Sequence, residues 1–248
     1  DSIGSAGYNT YVSAEDAHRL GLVDVDDDTD IVITSLPTNK GPRQSVRLEG
    51  TTRFDSGLFL LDVTHIPAGC GMWPAFWLTD EENWPDNGEI DFVEGVNYQS
   101  YSKTALHTSP MCSMYAHVPR KVWTGEWDRA TGIPDTFTGL RDVNTSVPAD
   151  DCWVYAAHQW GNQGCVAVSQ VNDTLGVGWN ANGGGVYVLQ WDPVNLHIKS
   201  WVFPRQFGFP DNLQAALDDP STATPDPDSW GLPYAYFAIG DTTGCSAD

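Results

Sequence analysis

The sequence predicts an all-β fold, a β-jelly-roll sandwich, in a single domain over residues 1–248. Three observations predict it. The 248 residues include 24 Gly and 16 Pro, which favour turns and short strands over long helices. Short apolar or alternating runs recur along the chain, separated by turn residues. No repeat, linker or change of composition divides the chain, and all-β domains often reach this length.

The first predicted elements lie before residue 64. Ser13, with Asp16 three positions later, indicates the start of a short helix. Residues 31–34 are mostly β-branched, residues 45–49 alternate apolar and polar side chains, and residues 57–63 form a longer apolar run. Each of these three runs has the composition of a strand.

Further strands follow a turn rich in Pro and Gly. They are predicted over residues 72–79, 89–94, 104–107, 166–171, 185–191 and 197–203. The turn at 85–88, Pro-Asp-Asn-Gly, separates the first two of them. A second helix is predicted over residues 212–217, with Asp211 as its cap.

The charge of the chain excludes two classes of partner. With 12 Lys+Arg and 33 Asp+Glu, the net charge is −21, which repels the phosphates of nucleic acids and anionic lipid surfaces. No apolar run approaches the roughly 20 residues of a membrane helix. The 11 Trp, 9 Tyr and 9 Phe indicate a folded protein, because disordered chains of high charge lack aromatic residues.

Cysteines and glycosylation sequons indicate a secreted, disulfide-containing glycoprotein in its mature form. The cysteines are Cys70, Cys112, Cys152, Cys165 and Cys245, and the sequons begin at Asn144 and Asn172. Because five is odd, at least one cysteine lacks a partner within the chain. Cys152 and Cys165 close a short loop and are the expected bridge.

Five aspartates lie between Asp24 and Asp30. Carboxylates are the usual ligands of calcium, so a calcium site is one interpretation of this cluster. A solvated acidic turn is favoured, because no Gly-containing loop with a closing Glu follows.

The densest chemistry lies in residues 88–95, Gly-Glu-Ile-Asp-Phe-Val-Glu-Gly. Burying unpaired carboxylates is unfavourable, so a strand face that carries three of them is expected to line a solvated cleft. Glu89 and Asp91 are two residues apart and share a face. Glu94 is five residues from Glu89, an odd separation, so one β-bulge between Asp91 and Glu94 is needed to return it to that face.

With this bulge, the Glu89 and Glu94 carboxyl groups are expected to lie about 5–6 Å apart, near the ~5–5.5 Å of a retaining glycosidase. Two other interpretations stay open at this point. The strand is an acidic edge strand that prevents aggregation, or it carries a metal site. Ile90, Phe92 and Val93 favour a central strand over an edge, and no His-x-His or Cys-x-x-Cys motif lies nearby for a transition metal.

Several segments together carry a family resemblance. They are the Trp-rich segment 67–77, the acidic segment 88–95, Leu-His-Thr-Ser at 106–109, and the segments 183–187, 198–205 and 227–231. These motifs resemble the fungal laminarinase-like members of glycoside hydrolase family 16 (GH16), and the resemblance extends over most of the chain. The resemblance implies a concanavalin-like jelly roll with an open substrate cleft on its concave face.

The resemblance also implies roles for the carboxylates. Glu89 matches the nucleophile of a double-displacement mechanism, and Glu94 matches the general acid/base. Asp91 matches the carboxylate that lies between them and hydrogen-bonds the nucleophile. An acid at Glu94 needs a raised pKa, which neighbouring negative charge supplies.

Candidate sugar contacts follow partly from the resemblance. It places Trp77 and Trp84 in the donor-side subsites, with Arg47 and His107 as polar contacts. Trp230 lies in a turn rich in Pro and Gly and is a further candidate, because aromatic rings supply flat apolar platforms for sugars. For any one Trp, core packing is the alternative, and a place in the core or the cleft wall is favoured for Trp73 and the Trp residues at 191 and 201.

The sequence therefore predicts a secreted, monomeric endo-β-1,3-glucanase that retains anomeric configuration and needs no cofactor or metal. Its expected partner is a neutral β-glucan, with mixed 1,3/1,4 linkages or 1,6 branches as further options. A transglycosylase and a non-catalytic glucan-recognition protein are the alternatives, and the three carboxylates speak against the second. Family members usually extend further at both ends, so the chain is expected to lack native terminal segments.

Overall fold

A computed structural model describes residues 9–25, 30–36, 41–115, 117–130 and 147–246. The chain forms two compact units, Asp1–Phe54 and Asp55–Asp248. The single domain over residues 1–248 stays a prediction. No helix in the described ranges has both the length and the apolar character that crossing a membrane requires.

The N-terminal unit contains four short strands and one helix. They are β1 (Asn9–Tyr11), α1 (Ala14–Arg19), β2 (Val23–Val25), β3 (Ile31–Ile33) and β4 (Arg43–Ser45). β1 pairs with β4 in parallel, and β2 pairs with β3 in antiparallel orientation. The predicted cap of α1 is confirmed, because the Ser13 side chain accepts a hydrogen bond from the Asp16 N–H at 3.1 Å.

One sequence prediction in this unit is wrong in part, and another falls mostly outside the described residues. The predicted strand 45–49 is wrong beyond Ser45, because the pairing of β4 with β1 ends at the partners Ser45 and Tyr11. The acidic cluster at 24–30 is described only at Asp24, Val25 and Asp30, so a calcium site there is not tested.

The larger unit is built mainly from two antiparallel sheets. The first contains β6 (Ala75–Thr79), β7 (Glu89–Glu94), β8 (Lys103–His107), β9 (Glu126–Trp127) and β12 (Cys165–Val168), in the order β6-β7-β8-β12-β9. The second contains β5 (Gly57–Val63), β13 (Gly185–Asp192), β14 (His197–Pro204) and β15 (Ala235–Ala238), in the order β15-β14-β13-β5. A further pair joins β10 (Arg129–Ala130) to β11 (Val147–Pro148).

The core lies between the two sheets. Ile90 on β7 and Leu106 on β8 pack in the same buried cluster as Tyr187 and Leu189 on β13. The alternate residues of β13, such as Val188, belong to a second cluster on the other face of their sheet. This alternation confirms a β-sandwich with one sheet carrying the acidic strand.

Two helices cover the larger unit, and the sequence predicted only one of them. α2 (Gly176–Ala181) was not predicted, because its two glycines lower helix propensity. α3 (Asp211–Asp218) matches the second predicted helix, but Asp211 lies inside it and Pro210 occupies the cap position. Asp211 therefore places an acidic charge in the first turn without capping the helix.

Two disulfides connect the larger unit. The predicted bridge Cys152–Cys165 is confirmed, and a second bridge joins Cys112 to Cys245. Cys70 is exposed and carries a free thiol, as the odd cysteine count requires.

Candidate active site

The acidic strand β7 contains the predicted bulge. On β6, Phe76 pairs with Val93, whereas the next residue, Trp77, pairs with Asp91. Phe92 is therefore the extra residue of β7, and it packs into the core with 1% of its surface exposed. Because of this insertion, Glu94 returns to the strand face that carries Glu89 and Asp91.

The neighbouring strand β8 brings a histidine to the same face. His107 pairs with Glu89, and Ala105 pairs with Asp91. The His107 Nε2 atom lies 2.8 Å from the Asp91 Oδ2 atom, and both side chains are almost fully buried. Asp91 is thus a buried carboxylate with a charged partner, which offsets the cost of burying its charge.

The environment of Glu89 favours its protonated form. Burial, followed by the negative charge of Asp91, raises the pKa of Glu89 from its ordinary 4.5 to about 7. His107 and the Trp84 indole act in the opposite direction. The Trp84 Nε1 atom is buried and makes no hydrogen bond of normal geometry within the described residues, yet it is close enough to favour the Glu89 carboxylate.

Glu94 also has a raised pKa, as the sequence required of an acid. Burial is the main cause and the charge of Asp91 is the second. The indole Nε1 of Trp73 donates a hydrogen bond to the Glu94 Oε1 atom at 2.7 Å, which favours the carboxylate and partly offsets the rise. Glu94 is therefore neutral over a wider pH range than a solvated glutamate.

His107 is positively charged over a wider range than usual. Burial works against the imidazolium, but the hydrogen bond to Asp91 and the charges of Asp91, Glu89 and Glu94 outweigh it and raise the pKa of His107. The ring therefore supplies a positive charge between the acidic side chains of β7.

One arrangement at this site resembles a metal centre. Ligand atoms of Glu89, Asp91 and His107 all lie within 4.8 Å of one another. The ion pair between His107 and Asp91 accounts for this spacing, because it occupies Nε2, the ring nitrogen that faces the carboxylates. The absence of a metal stays a prediction of the sequence.

Two of the predicted sugar contacts lie beside the acidic strand. Trp77 pairs with Asp91 across β6 and β7, so its side chain shares the face of the carboxylates, where it is half-buried. Trp84 follows a short 3₁₀ helix, Glu81–Asn83, in the loop between these strands. Asp80 organises this loop by accepting hydrogen bonds from the side-chain amides of Asn83 and Asn87.

The comparison with known families decides the family of the chain that carries this carboxylate site. Residues 2–248 match the family model of the XgeA-like catalytic GH16 domain. The chain belongs to glycoside hydrolase family 16. The GH16 resemblance of the sequence is thereby confirmed, and the site residues keep the roles that the family suggests as proposals.

Individual relatives agree with this assignment. An endo-1,3(4)-beta-glucanase of Emericella nidulans is 34% identical over 93% of this chain and 32% of its own length. The GH16 Laminarinase 16A from Phanerochaete chrysosporium, solved with two beta-glucans in its donor and acceptor sites, is 30% identical with a TM-score of 0.73, over 100% of this chain and 73% of the other. An elongating GH16 beta-1,3-glucosyltransferase is 31% identical with a TM-score of 0.72, over 98% and 71%.

These GH16 neighbours confirm the predicted jelly-roll fold class. The chain spans half or less of the length of the curated relatives that it matches.

The two remaining predicted sugar contacts of this GH16 domain are Arg47 and Trp230. Arg47 lies in the N-terminal unit, where its Nη2 atom is 3.2 Å from the Glu49 Oε1 atom, and its role toward sugar stays a prediction. Trp230 is 8% exposed and packs edge-on against Trp201 and Phe203 in the second cluster, beyond the sheet opposite to β7. This position contradicts the prediction that Trp230 contacts sugar.

Trp230 is buried because α3 covers it. Its indole Nε1 donates a hydrogen bond to the Asn212 side chain of that helix. The turn rich in Pro and Gly correctly indicated a loop, but the sequence did not show onto which face of the sandwich the loop folds.

Two further residues at the GH16 site were missed. Trp73 was expected in the core or the cleft wall, and its 53% exposure and its hydrogen bond to Glu94 exclude the core. Lys103 on β8 makes a 2.6 Å ion pair with Asp128, and its charge lowers the pKa of Glu94 slightly. Of these two residues, only Lys103 had a signal in the sequence. Lys103 lies four residues before His107 on β8, and residues an even number apart on a strand share a face.

Proposed function

We propose that this GH16 domain is an endo-acting glycosidase that cleaves β-1,3-glucan, or mixed β-1,3(4)-glucan, with retention of configuration. The observation that carries the proposal is the bulged strand β7, which presents Glu89, Asp91 and Glu94 on one face with His107 beside them. The substrate class is supported by the E. nidulans endo-1,3(4)-beta-glucanase and by the glucans bound to Laminarinase 16A.

The proposed reaction has two displacement steps. Glu89 attacks the anomeric carbon while Glu94 protonates the glycosidic oxygen, so the glycosidic bond breaks and a glycosyl ester forms on Glu89. Glu94, now a carboxylate, then removes a proton from water, which attacks the anomeric carbon and releases Glu89. Two inversions give net retention.

The division of roles between the glutamates rests on the family match, because burial and the charge of Asp91 raise the pKa of Glu89 to about 7 and so favour its neutral form. The imidazolium of His107 lies in the same 4.8 Å cluster as Glu89 and Asp91, and it favours the ionised form that a nucleophile needs. Burial and the charge of Asp91 raise the pKa of Glu94, which suits an acid in the first step.

The experiment that tests the reaction follows the hydrolysis of laminarin, lichenan, xyloglucan and chitin. We expect oligosaccharides from laminarin, from lichenan if mixed linkages are accepted, and the β-anomer as the first product in the proton NMR spectrum. A first product in the α-anomer would contradict retention. Wild-type protein that binds laminarin without releasing product would overturn the proposal in favour of a recognition protein.

Chemical rescue assigns the roles of the two glutamates. Replacing either one by Ala is expected to lower the rate by at least ~10²–10⁴. Azide added to the Glu89→Ala variant is expected to give an α-glycosyl azide, because azide enters at the face the nucleophile used. Azide added to the Glu94→Ala variant is expected to give the β-azide. Glu82→Gln, an exposed glutamate before β7, is the control and is expected to leave the rate unchanged.

Transglycosylation is the second candidate function, supported by the elongating beta-1,3-glucosyltransferase among the solved relatives. In that case a second glucan, rather than water, accepts the glycosyl group from Glu89. Products longer than the starting oligosaccharide would identify this activity, whereas only shorter products support hydrolysis.

We further propose that the protein is secreted and acts as a monomer. The two disulfides favour an oxidising compartment. Asn172 of the second sequon is exposed, as a glycan acceptor must be, whereas Asn144 of the first lies outside the described residues. Intact mass and sedimentation of the protein from its native source test these two statements.

A further inference from the structure

Trp73 occupies a fixed position just before strand β6. The Gly95 N–H donates a hydrogen bond to the Pro74 carbonyl at 3.2 Å, and the Asn97 N–H donates one to the Met72 carbonyl at 2.9 Å. Both residues that flank Trp73 are thus tied to the chain that leaves β7. The Trp73 indole is therefore held against the end of the catalytic strand.

The hydrogen bond from Trp73 favours one oxygen of Glu94 as the carrier of its proton. An indole N–H can donate but cannot accept, so the Glu94 Oε1 atom must act as an acceptor in both protonation states. When Glu94 is protonated, its proton is therefore favoured on the Oε2 atom, because the carbonyl oxygen is a better acceptor than the hydroxyl oxygen. Without Trp73, the proton would be free to occupy either oxygen.

We propose that Trp73 is a positioning residue that directs the acid proton of Glu94 toward the glycosidic oxygen, and that its exposed ring receives the sugar on the leaving-group side. This role depends on the proposed function, because Trp73 acts through Glu94. The side of the cleft follows from chemistry, because the oxygen that the acid protonates departs with the leaving-group sugar.

The exposure of Trp73 supports the second part of this role. Although its N–H is bound to Glu94, 53% of Trp73 is exposed. Exposed aromatic rings present an apolar face to the C–H groups of a sugar. Trp84 lies near the other catalytic carboxyl, that of Glu89, so each glutamate has one indole beside it.

Removing the Trp73 N–H has a defined electrostatic effect. Glu94 faces Asp91 and Glu89 on its own strand, and His107 and Lys103 on β8. None of these charges changes when Trp73 becomes Phe. The loss of a donor to the carboxylate is therefore expected to raise the pKa of Glu94 and to move the basic limb of the pH–rate profile to higher pH.

The test compares two substrates in the Trp73→Phe variant. Laminarin requires the acid proton, whereas a 2,4-dinitrophenyl β-laminaribioside has a leaving group that departs without protonation. We expect kcat on laminarin to fall about tenfold, the effect of one hydrogen bond. The rate of the first step on the aryl glycoside is expected to change less than about threefold.

Trp84→Phe is the matched control, because it removes an indole N–H near the nucleophile. Glycosylation of Glu89 occurs with both substrates, so this variant is expected to lower both rates by a similar factor. For each variant, the rate on laminarin is divided by the rate on the aryl glycoside. If this ratio is the same in the Trp73 and Trp84 variants, the inference is overturned. Wild-type protein inactive on both substrates would instead overturn the proposed function.

A second variant separates the ring from its N–H group. Trp73→Ala removes both, so it is expected to raise KM for laminarin several-fold above that of Trp73→Phe, while both variants share the shifted basic limb. Because half of Trp73 is exposed, neither variant leaves a closed cavity, and the unfolding temperature is expected to stay within about 5 °C of wild type. Identical KM values would exclude the sugar platform, and an unshifted basic limb would exclude the positioning role.

Discussion

At the scale of single residues, Glu89 is the proposed nucleophile, and its surroundings disfavour its ionised form. Its pKa is about 7 in the folded protein, above the ordinary 4.5, mainly because the side chain is buried. The folded protein thus holds this proton more tightly than the unfolded chain does. The corresponding stability is fully present below about pH 4.5 and is lost as the pH rises through about 7.

Glu89→Gln is therefore expected to stabilise the protein at alkaline pH. Gln cannot ionise, so at pH 8 the variant avoids an ionised buried carboxylate and gains on the order of 1–3 kcal/mol in free energy of unfolding. At pH 4 both side chains are neutral and the difference is expected to vanish. Urea unfolding of wild type and variant at several pH values measures this.

The exposed Glu82 supplies the matched control for this measurement. Glu82→Gln is expected to leave the free energy of unfolding unchanged at every pH. A stabilisation by Glu89→Gln that is equally large at pH 4 and pH 8 would contradict the electrostatic explanation and would indicate an effect of packing instead.

The sequence predicted the grouping of the three carboxylates better than the environments of the residues around them. Three carboxylates in six residues carry a strong constraint, since burying them against a core is unfavourable, and this constraint located Glu89, Asp91 and Glu94. A single Trp carries no such constraint. Trp230 is buried where a sugar contact was expected, because an aromatic ring suits a core and a sugar site equally and only the tertiary structure decides between them.

At the scale of elements, the bulge in β7 determines which side chains reach the cleft. Because side chains alternate along a strand, a separation of four residues would place Glu89 and Glu94 on one face without any bulge. Deleting Phe92 produces that separation. The pairs Phe76–Val93 and Trp77–Asp91 on the two sides of the bulge need no change.

We expect the Phe92 deletion to keep measurable laminarin hydrolysis, within about 100-fold of wild type, because all three carboxylates stay on the cleft face. Stability is expected to fall by about 3–5 kcal/mol, since Phe92 is 1% exposed and its ring lies 5.2 Å from that of Phe76. Laminarin hydrolysis and thermal unfolding measure the two effects.

Deleting Ile90 is the matched control, because it also removes one buried apolar residue from β7. This deletion makes Glu89 and Asp91 adjacent, so they point to opposite faces and one carboxylate enters the core. Activity is expected to fall below detection. A folded Phe92 deletion as inactive as the Ile90 deletion would show that the bulge itself, and not only the shared face, is needed.

The sequence predicted the bounds of long apolar strands most accurately. The bounds of β5 and β7 agree with the sequence prediction, because apolar runs between turns are strong signals. The strands β1, β2, β9, β10, β11 and β15 were not predicted. Five of them are only two or three residues long, and the partner strand, rather than local composition, determines such short pairings.

At the scale of the whole molecule, the two disulfides differ in what they connect. Cys112–Cys245 closes a loop of 133 residues, whereas Cys152–Cys165 closes one of 13. The sequence predicted only the short bridge, since proximity along the chain makes that contact probable in any fold. The long bridge depends on where the chain after β15 meets the chain after β8, which is a property of the tertiary structure.

The short bridge lies beside the catalytic site. Cys165 pairs with Leu106 on β8, and the Thr108 N–H donates a hydrogen bond to the Cys152 carbonyl at 2.8 Å. Both cysteines thus contact residues that flank His107. Gly164 packs closely there, because a Cβ atom on it would lie 3.0 Å from the His107 Nδ1 atom and its φ is +64°.

Paired Ala replacements are expected to separate stability from activity. Both pairs of sulfurs are buried, so the loss of packing is similar and the difference reports loop length. Replacing Cys112 and Cys245 is expected to lower the free energy of unfolding by about 5 kcal/mol, against about 3 kcal/mol for Cys152 and Cys165. The loss of laminarin hydrolysis at 25 °C is expected to follow the opposite order, because both cysteines of the short bridge contact the chain around His107, whereas the long bridge reaches it through the hydrogen bond from the Cys152 N–H to the Cys112 carbonyl. Urea unfolding and initial rates on the same preparations measure both quantities, and a larger loss of activity from the long bridge would contradict a local role for Cys152–Cys165.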